Sequence, residues 1–307
     1  MEIFFQQIIN GFVQGSVYAL VALGYTMVYG ILGLINFAHG EVVMIGAMIA
    51  LTALQALLAA AFAPVLAVLL SLMVAVAVCM ALGYSIERIA YRPLRNAPRL
   101  APLITAIGVS IVLQNLAMMI WGREYHSFNL PFASTSHHLG GAVMNDVQIV
   151  IVIVALVIMA GLMWLVHHTR TGRAMRAVAE NPAAATLMGV DINRVISVTF
   201  MIGSALAAIA GFMVSANYGI VHYYMGFMLG LKAFTAAVLG GIGNLRGAML
   251  GGVLLGLIES LGAGYIGDLS GGFLGSHYQD VFAFFVLIAV LVFRPSGLLG
   301  EKLAERA

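Results

Sequence analysis

From Ile3 to Gly40 the chain has no Asp, Glu, Lys or Arg, and from Val42 to Ile86 it has none again. A spanning helix needs about 20 apolar residues, so each run holds about two crossings. With Gly, Pro and charge clusters taken as breaks, the pattern predicts spans near Gly11–Ile31, Glu41–Phe62, Val65–Gly83, Leu100–Trp121, Val147–Val166 and Val195–Ala216. Further spans are expected near Met228–Ile242, Gly247–Ile266 and Asp280–Phe293, the first of them short enough to be broken or re-entrant. The expected fold is an all-α polytopic membrane protein, a single transmembrane domain over residues 1–307 with about eight to nine helices.

Composition agrees with the pattern. Of 307 residues, 62% are hydrophobic and 8% charged, whereas soluble domains carry about 25% charged residues. A balance of 14 basic against 12 acidic residues is too thin for a nucleic-acid surface. Apolar runs recur along the whole length, which excludes a secreted enzyme behind a cleaved signal. The one cysteine, Cys79, permits no disulfide within the chain.

Charge position orients the spans. Arg88, Arg92, Arg95 and Arg99 share one connection, Arg170, Arg173, Arg176 and Arg194 another, and Arg294, Lys302 and Arg306 close the chain. The positive-inside rule makes these three segments cytoplasmic. The connection 122–146 has Arg123 alone beside Glu124 and Asp146, so it is expected on the other side, with the N-terminus outside and the C-terminus inside.

Small residues recur every four positions: Gly11, Gly15 and Ala19; Gly203, Ala207 and Gly211; Gly247 and Gly251, with Gly252 and Gly256 alongside. Such stripes let helix backbones approach closely in lipid, either within one bundle or at a subunit interface. Leu32-Gly33-Leu34-x-x-Phe37 against Leu229-Gly230-Leu231-x-x-Phe234 raises a possible internal repeat, with both copies expected at interrupted spans.

The long polar stretch 167–194 carries clear local signals. Gly172 opens a segment in which Arg173, Arg176 and Glu180 share a face. Asn181 is then a strong N-cap, Pro182 suits the first helical position, and Gly189 suits the residue just past the end. A helix of under two turns is unstable alone and must dock. On these signals the stretch is either a loop packed under its own bundle or a coupling helix gripped by a cytoplasmic motor.

Polar groups within apolar spans are functional candidates, because intramembrane charge costs about 2.5 to 3.5 kcal/mol on insertion scales. They are Asn36, His39 and Glu41 in a turn expected near the cytoplasmic end, Lys232, Glu259 and Asp268. Glu41 suits either helix capping or a gate. Lys232 either snorkels outward or partners Glu259, which faces a polar cavity or a structural partner. His126, His137 and His138 lack the carboxylate or cysteine spacing of a metal set, so no metal site is expected.

Several long stretches resemble one family. Gly172–Asp191 is similar to the cytoplasmic loop of branched-chain amino-acid ABC transporter permeases. Gly24–Glu41 and Phe234–Asn244 resemble two hallmarks of its LivH-type subunit, and Ile86–Arg95 resembles a further motif. The resemblance covers about Gly11 to Leu299. It implies a second related permease subunit, two cytoplasmic ATPase subunits, an extracytoplasmic amino-acid-binding protein and a bacterial inner-membrane location. It also makes Arg173–Gly189 the ATPase-facing element. No G-x-x-x-x-G-K-[ST] occurs, since Lys232 and Lys302 are the only lysines, so no catalytic residue or cofactor is expected on this chain, with ATP and Mg used by the partners. Its competitors are a urea or amide permease of the same superfamily, a more remote sugar permease, and an ion-coupled carrier working through Glu41, Glu259 and His39.

Overall fold

The computed structural model describes residues 2–300 except Asn96, Arg99, 132–134, Gly140, Ser270 and 272–277. Lys302, Arg306 and Arg99 of the positive-inside argument lie outside the described residues, as does the side chain of Asp268. The apolar helices are α1 (Glu2–Leu32), α2 (His39–Ala59), α3 (Pro64–Ile86), α4 (Leu100–Trp121) and α5 (Asp146–His168). The amphipathic α6 (Arg170–Glu180) and the short α7 (Pro182–Leu187) follow, then the apolar α8 (Ile192–Tyr218), α9 (Met225–Gly240), α10 (Leu245–Leu269) and α11 (Gln279–Phe293). Among the described residues, 7 helices are long and apolar enough to cross a membrane. α9 and α11 are apolar but shorter; the 16 residues of α9 rise about 24 Å, less than a hydrocarbon core of about 30 Å.

Helix ends follow local chemistry. Pro64 sits in the first turn of α3, and the Asp191 side chain caps α8 by accepting from the Arg194 amide at 3.2 Å. α8 ends at Gly219, whose φ of 70° is open to glycine. One boundary differs from expectation. Residues expected to form a connection after Gly83 continue as helix, through a π-helical turn (Glu87–Tyr91) and a 3₁₀ turn (Arg92–Leu94).

The chain forms two compact units. One comprises Met27–Ala133 and Ala160–Gly230. Its centre is the mutual packing of α2, α3 and α8. A Cβ on Gly46 would lie 2.6 Å from the Ala208 Cα, and Gly83 and Gly211 leave no room against Ser204 and the Val43 carbonyl. Outside the helices, β1 (His126–Ser127) pairs antiparallel with β4 (Ile220–Val221), with His126 opposite Val221.

The other unit comprises Met1–Thr26, Ser134–Met159 and Leu231–Ala307. Its small-residue stripes form a helix seam: Cβ atoms on Gly11 and Gly15 would lie 2.8 Å from the Leu257 and Val253 Cα atoms, and Gly252 and Gly256 press on Ala19 and Gly15. These stripes therefore join α1 to α10 inside the chain. Gly251 of α10 packs in the same way on Ala236 of α9. A hairpin of β2 (Ser136–Leu139) and β3 (Ala142–Asn145) precedes α5, and Asp146, which opens α5, reaches back to His137 at 2.6 Å. The two strings of the possible repeat differ in backbone: Leu32–Phe37 spans the break after α1, whereas Leu229–Phe234 lies inside α9.

Candidate functional site: a docking element and buried polar groups

The stretch after α5 folds as its caps dictate. Thr169 Oγ1 accepts from the Gly172 amide at 3.0 Å and starts α6, and a Cβ on Gly172 would collide with the carbonyls of Leu165 and Val166. Only glycine lets α6 turn back so tightly on the end of α5. Arg176 donates to the Val166 carbonyl, placing a cation where α5 leaves its last acceptors. Arg173 and Glu180 remain exposed.

Asn181 accepts from the Ala184 amide at 3.0 Å through its side chain, and Pro182 opens α7. At the other end the Gly189 amide donates to Thr186 and the Val190 amide to Ala185, with Gly189 at φ 82°. That pair of bonds is a Schellman stop. α7 buries Ala185 and leaves Leu187 90% and Met188 84% exposed. Two neighbouring large apolar side chains held open on a capped turn make a rigid apolar knob. Leu187 and Met188 were not among the sequence candidates; their position beside the stop signal at Gly189 was the available clue.

Behind the knob lies a cleft of ≈ 680 Å³ lined by Pro182, Asp191, Asn193, Arg92 and Arg95 among others. Arg92 and Arg95 of its lining belong to an ion cluster, centred on Glu87, that sequence reasoning missed. Glu87 is fully buried and accepts from Arg92 at 2.8 Å, from Ser197 at 2.8 Å and from Arg95. Arg95 also donates to Asn193 at 2.6 Å, so the end of α3 is tied to the first turn of α8. The π-helical turn begins at Glu87 itself, and its widened spacing brings Arg92, five residues on, back onto the carboxylate.

Asn36, His39 and Glu41 are all buried. Asn36 accepts from the Tyr91 hydroxyl at 3.0 Å and from the Ala38 amide at 3.2 Å, bracing the break between α1 and α2. His39 opens α2. Glu41, in the first turn of α2, accepts from the Ser110 hydroxyl at 3.2 Å. Ser110 stands midway along α4. Glu41 was expected near the cytoplasmic end; its bond to Ser110 instead sets the first turn of α2 level with the middle of α4.

Lys232 and Glu259 meet at 3.3 Å. Glu259 Oε2 also accepts from the Tyr18 hydroxyl at 2.7 Å and from Gln14 at 3.0 Å, and Lys232 reaches Asp280 at 2.5 Å. One polar cluster, buried at Lys232 and Glu259, thus links α1, α9, α10 and α11. Lys232 does not snorkel outward. Asp280, absent from the sequence candidates, completes the group from the first turn of α11.

Residues 7–291 match the family model described as "Branched-chain amino acid transport system / permease component". The chain belongs to this permease family. It is 47% identical to the high-affinity branched-chain amino acid transport system permease protein BraD of Pseudomonas aeruginosa, over 99% of this chain and 98% of that protein. Identity to the LivH permease protein of Escherichia coli K12 is 44%, over 99% and 97%. Similarity to the ribose import permease protein RbsC of the same organism is weaker, 26% over 91% and 83%. The permease is a multi-pass inner-membrane protein, and residues 167–194 fall wholly within the matched region.

Proposed function

We propose that this permease is a membrane-spanning subunit of an ATP-driven importer for branched-chain amino acids such as leucine, isoleucine and valine. It works beside a second related permease subunit, two cytoplasmic ATPase subunits and an extracytoplasmic binding protein. Its N-terminus is outside and its C-terminus cytoplasmic, which puts α6, α7 and the arginines of both flanking connections on the ATPase side. Near-complete coverage of relatives named as branched-chain amino acid permeases is the observation that carries this reading.

The chain performs no covalent step; ATP and Mg belong to the partner subunits. Its part is mechanical. An ATPase groove that receives Leu187 and Met188 moves α7, and the bond from Arg176 to the Val166 carbonyl passes that movement to α5. The Glu87 cluster passes it to α3 and α8, because Asn193 and Ser197 of α8 are held to the end of α3. The spans carry few fixed charges, which suits a small net-neutral solute better than a polyanion or a dication. Copurification from mild detergent tests the assembly: the second permease and the ATPase should travel with this chain. Recovery of the chain with no ATPase would contradict the reading.

A further inference from the structure

Two carboxylates, Glu41 and Glu259, are each 1% exposed within apolar helices, and their surroundings differ. Glu259 receives the Lys232 ammonium, the Tyr18 hydroxyl and Gln14 on Oε2; its Oε1 has no hydrogen-bond partner, but the ion pair with Lys232 answers its charge inside the fold. Glu41 has the neutral Ser110 hydroxyl on Oε1 and, among the described residues, no ion pair. Its Oε2 is buried and has no hydrogen-bond partner. A charged oxygen left without a partner is costly to bury, more so in a low-dielectric interior.

The free oxygen has a definite address. A Cβ added to Gly226 would lie 2.7 Å from it, so Oε2 rests on the first turn of α9. Around it, α2 and α9 meet through glycine backbone: a Cβ on Gly40 would lie 2.5 Å from the Gly226 carbonyl oxygen and 2.8 Å from the Gly230 Cα. At Gly226 and Gly230 α9 presents only backbone to α2, so the two helices separate there without pulling an α9 side chain out of a packed core.

A net-neutral amino acid still carries a full ammonium charge, whose loss of hydration must be compensated at mid-depth. Glu41 lies level with the middle of α4 and offers a carboxyl oxygen that has no hydrogen-bond partner. We infer that Glu41 accepts the α-ammonium group of the transported amino acid when α2 and α9 part along the Gly40–Gly226–Gly230 seam. The assignment rests on the importer reading above and names the group of the substrate that this side chain holds.

The test uses the complete transporter in proteoliposomes, comparing the native chain with Glu41→Gln and Glu41→Asp. ATP-driven leucine uptake by the native transporter checks the importer reading separately; its absence there sinks both. Glu41→Gln should assemble, keep binding-protein-stimulated ATP hydrolysis within about twofold, and move about tenfold less leucine per ATP, as expected for loss of a charge-assisted bond. Glu41→Asp, which keeps the charge, should retain a larger share than Glu41→Gln. Unchanged leucine per ATP in Glu41→Gln overturns the assignment, as does equal collapse of uptake and ATP hydrolysis in both variants, which marks a structural part. If Glu41→Gln fails to assemble, a hydrophobic carbodiimide is applied to the native transporter during turnover. Leucine should then slow modification of Glu41 but not of Glu259, and equal rates with and without leucine overturn the proposal.

Discussion

Lys232 on α9 and Asp280 on α11 meet at 2.5 Å, and the same ammonium reaches Glu259 on α10 at 3.3 Å. One cation therefore serves two carboxylates, and these charges anchor one compact unit of the chain. Removing the cation should cost far more than its own contacts. Lys232→Met should destabilise the purified chain by about 3 kcal/mol, because a buried carboxylate is left unpaired. Adding Glu259→Leu should recover part of that loss. Thermal melting in detergent reads both, and a double variant no more stable than Lys232→Met would refute the pairing.

Glu87 should behave in the same way at the other cluster. Glu87→Ala strands Arg92 and Arg95 and should cost about 3 kcal/mol. Arg92→Ala should cost much less, since that guanidinium is 32% exposed and Glu87 keeps Arg95. Equal shifts in melting temperature for the two variants would contradict this ranking.

α7 is short enough that its caps decide its shape. Asn181→Ala removes a cap worth about 1 kcal/mol, and Gly189→Val forces a branched side chain into a left-handed turn at φ 82°. Both should leave the chain inserted and folded while lowering ATPase copurification. Leu187→Asp with Met188→Asp should lower it further by placing charge where an apolar knob docks. Full ATPase recovery with the doubly charged variant would dismiss α7 as the contact.

Cys79 is buried, so Cys79→Ser gives a quiet cysteine-free background. Single cysteines at Ser136, on the exposed hairpin, and at Thr186, on α7, can then be probed in whole cells with an impermeant thiol reagent. Position 136 should label and position 186 should not. Labelling of 186 from outside would reverse the orientation.

Features whose cause is local were legible in the sequence. Asn181, Pro182 and Gly189 each act on backbone groups within a few residues, so the start and stop of α7 could be read from spacing. The small-residue stripes announced close helix contact, but not which helix; that Gly15 meets Val253 and Gly256 depends on the tertiary fold. Side chains paired across distant sequence were out of reach for the same reason. Nothing near Glu41 signals Ser110, and nothing near Glu87 shows that a π-helical turn will collect Arg92 and Arg95 on one carboxylate. The depth of Glu41 was not legible because the polar turn before α2 looks in sequence like any connection between spans, and only the bond to the distant Ser110 sets it beside the middle of α4.

The central claim is ATP-driven movement of a branched-chain amino acid through this chain. It is tested by reconstituting the permease pair with its ATPases and binding protein, and comparing leucine and urea uptake with ATP and with an imposed proton gradient. Leucine should accumulate with ATP alone. Accumulation of urea without leucine, or leucine uptake driven by the proton gradient without ATP, would contradict it.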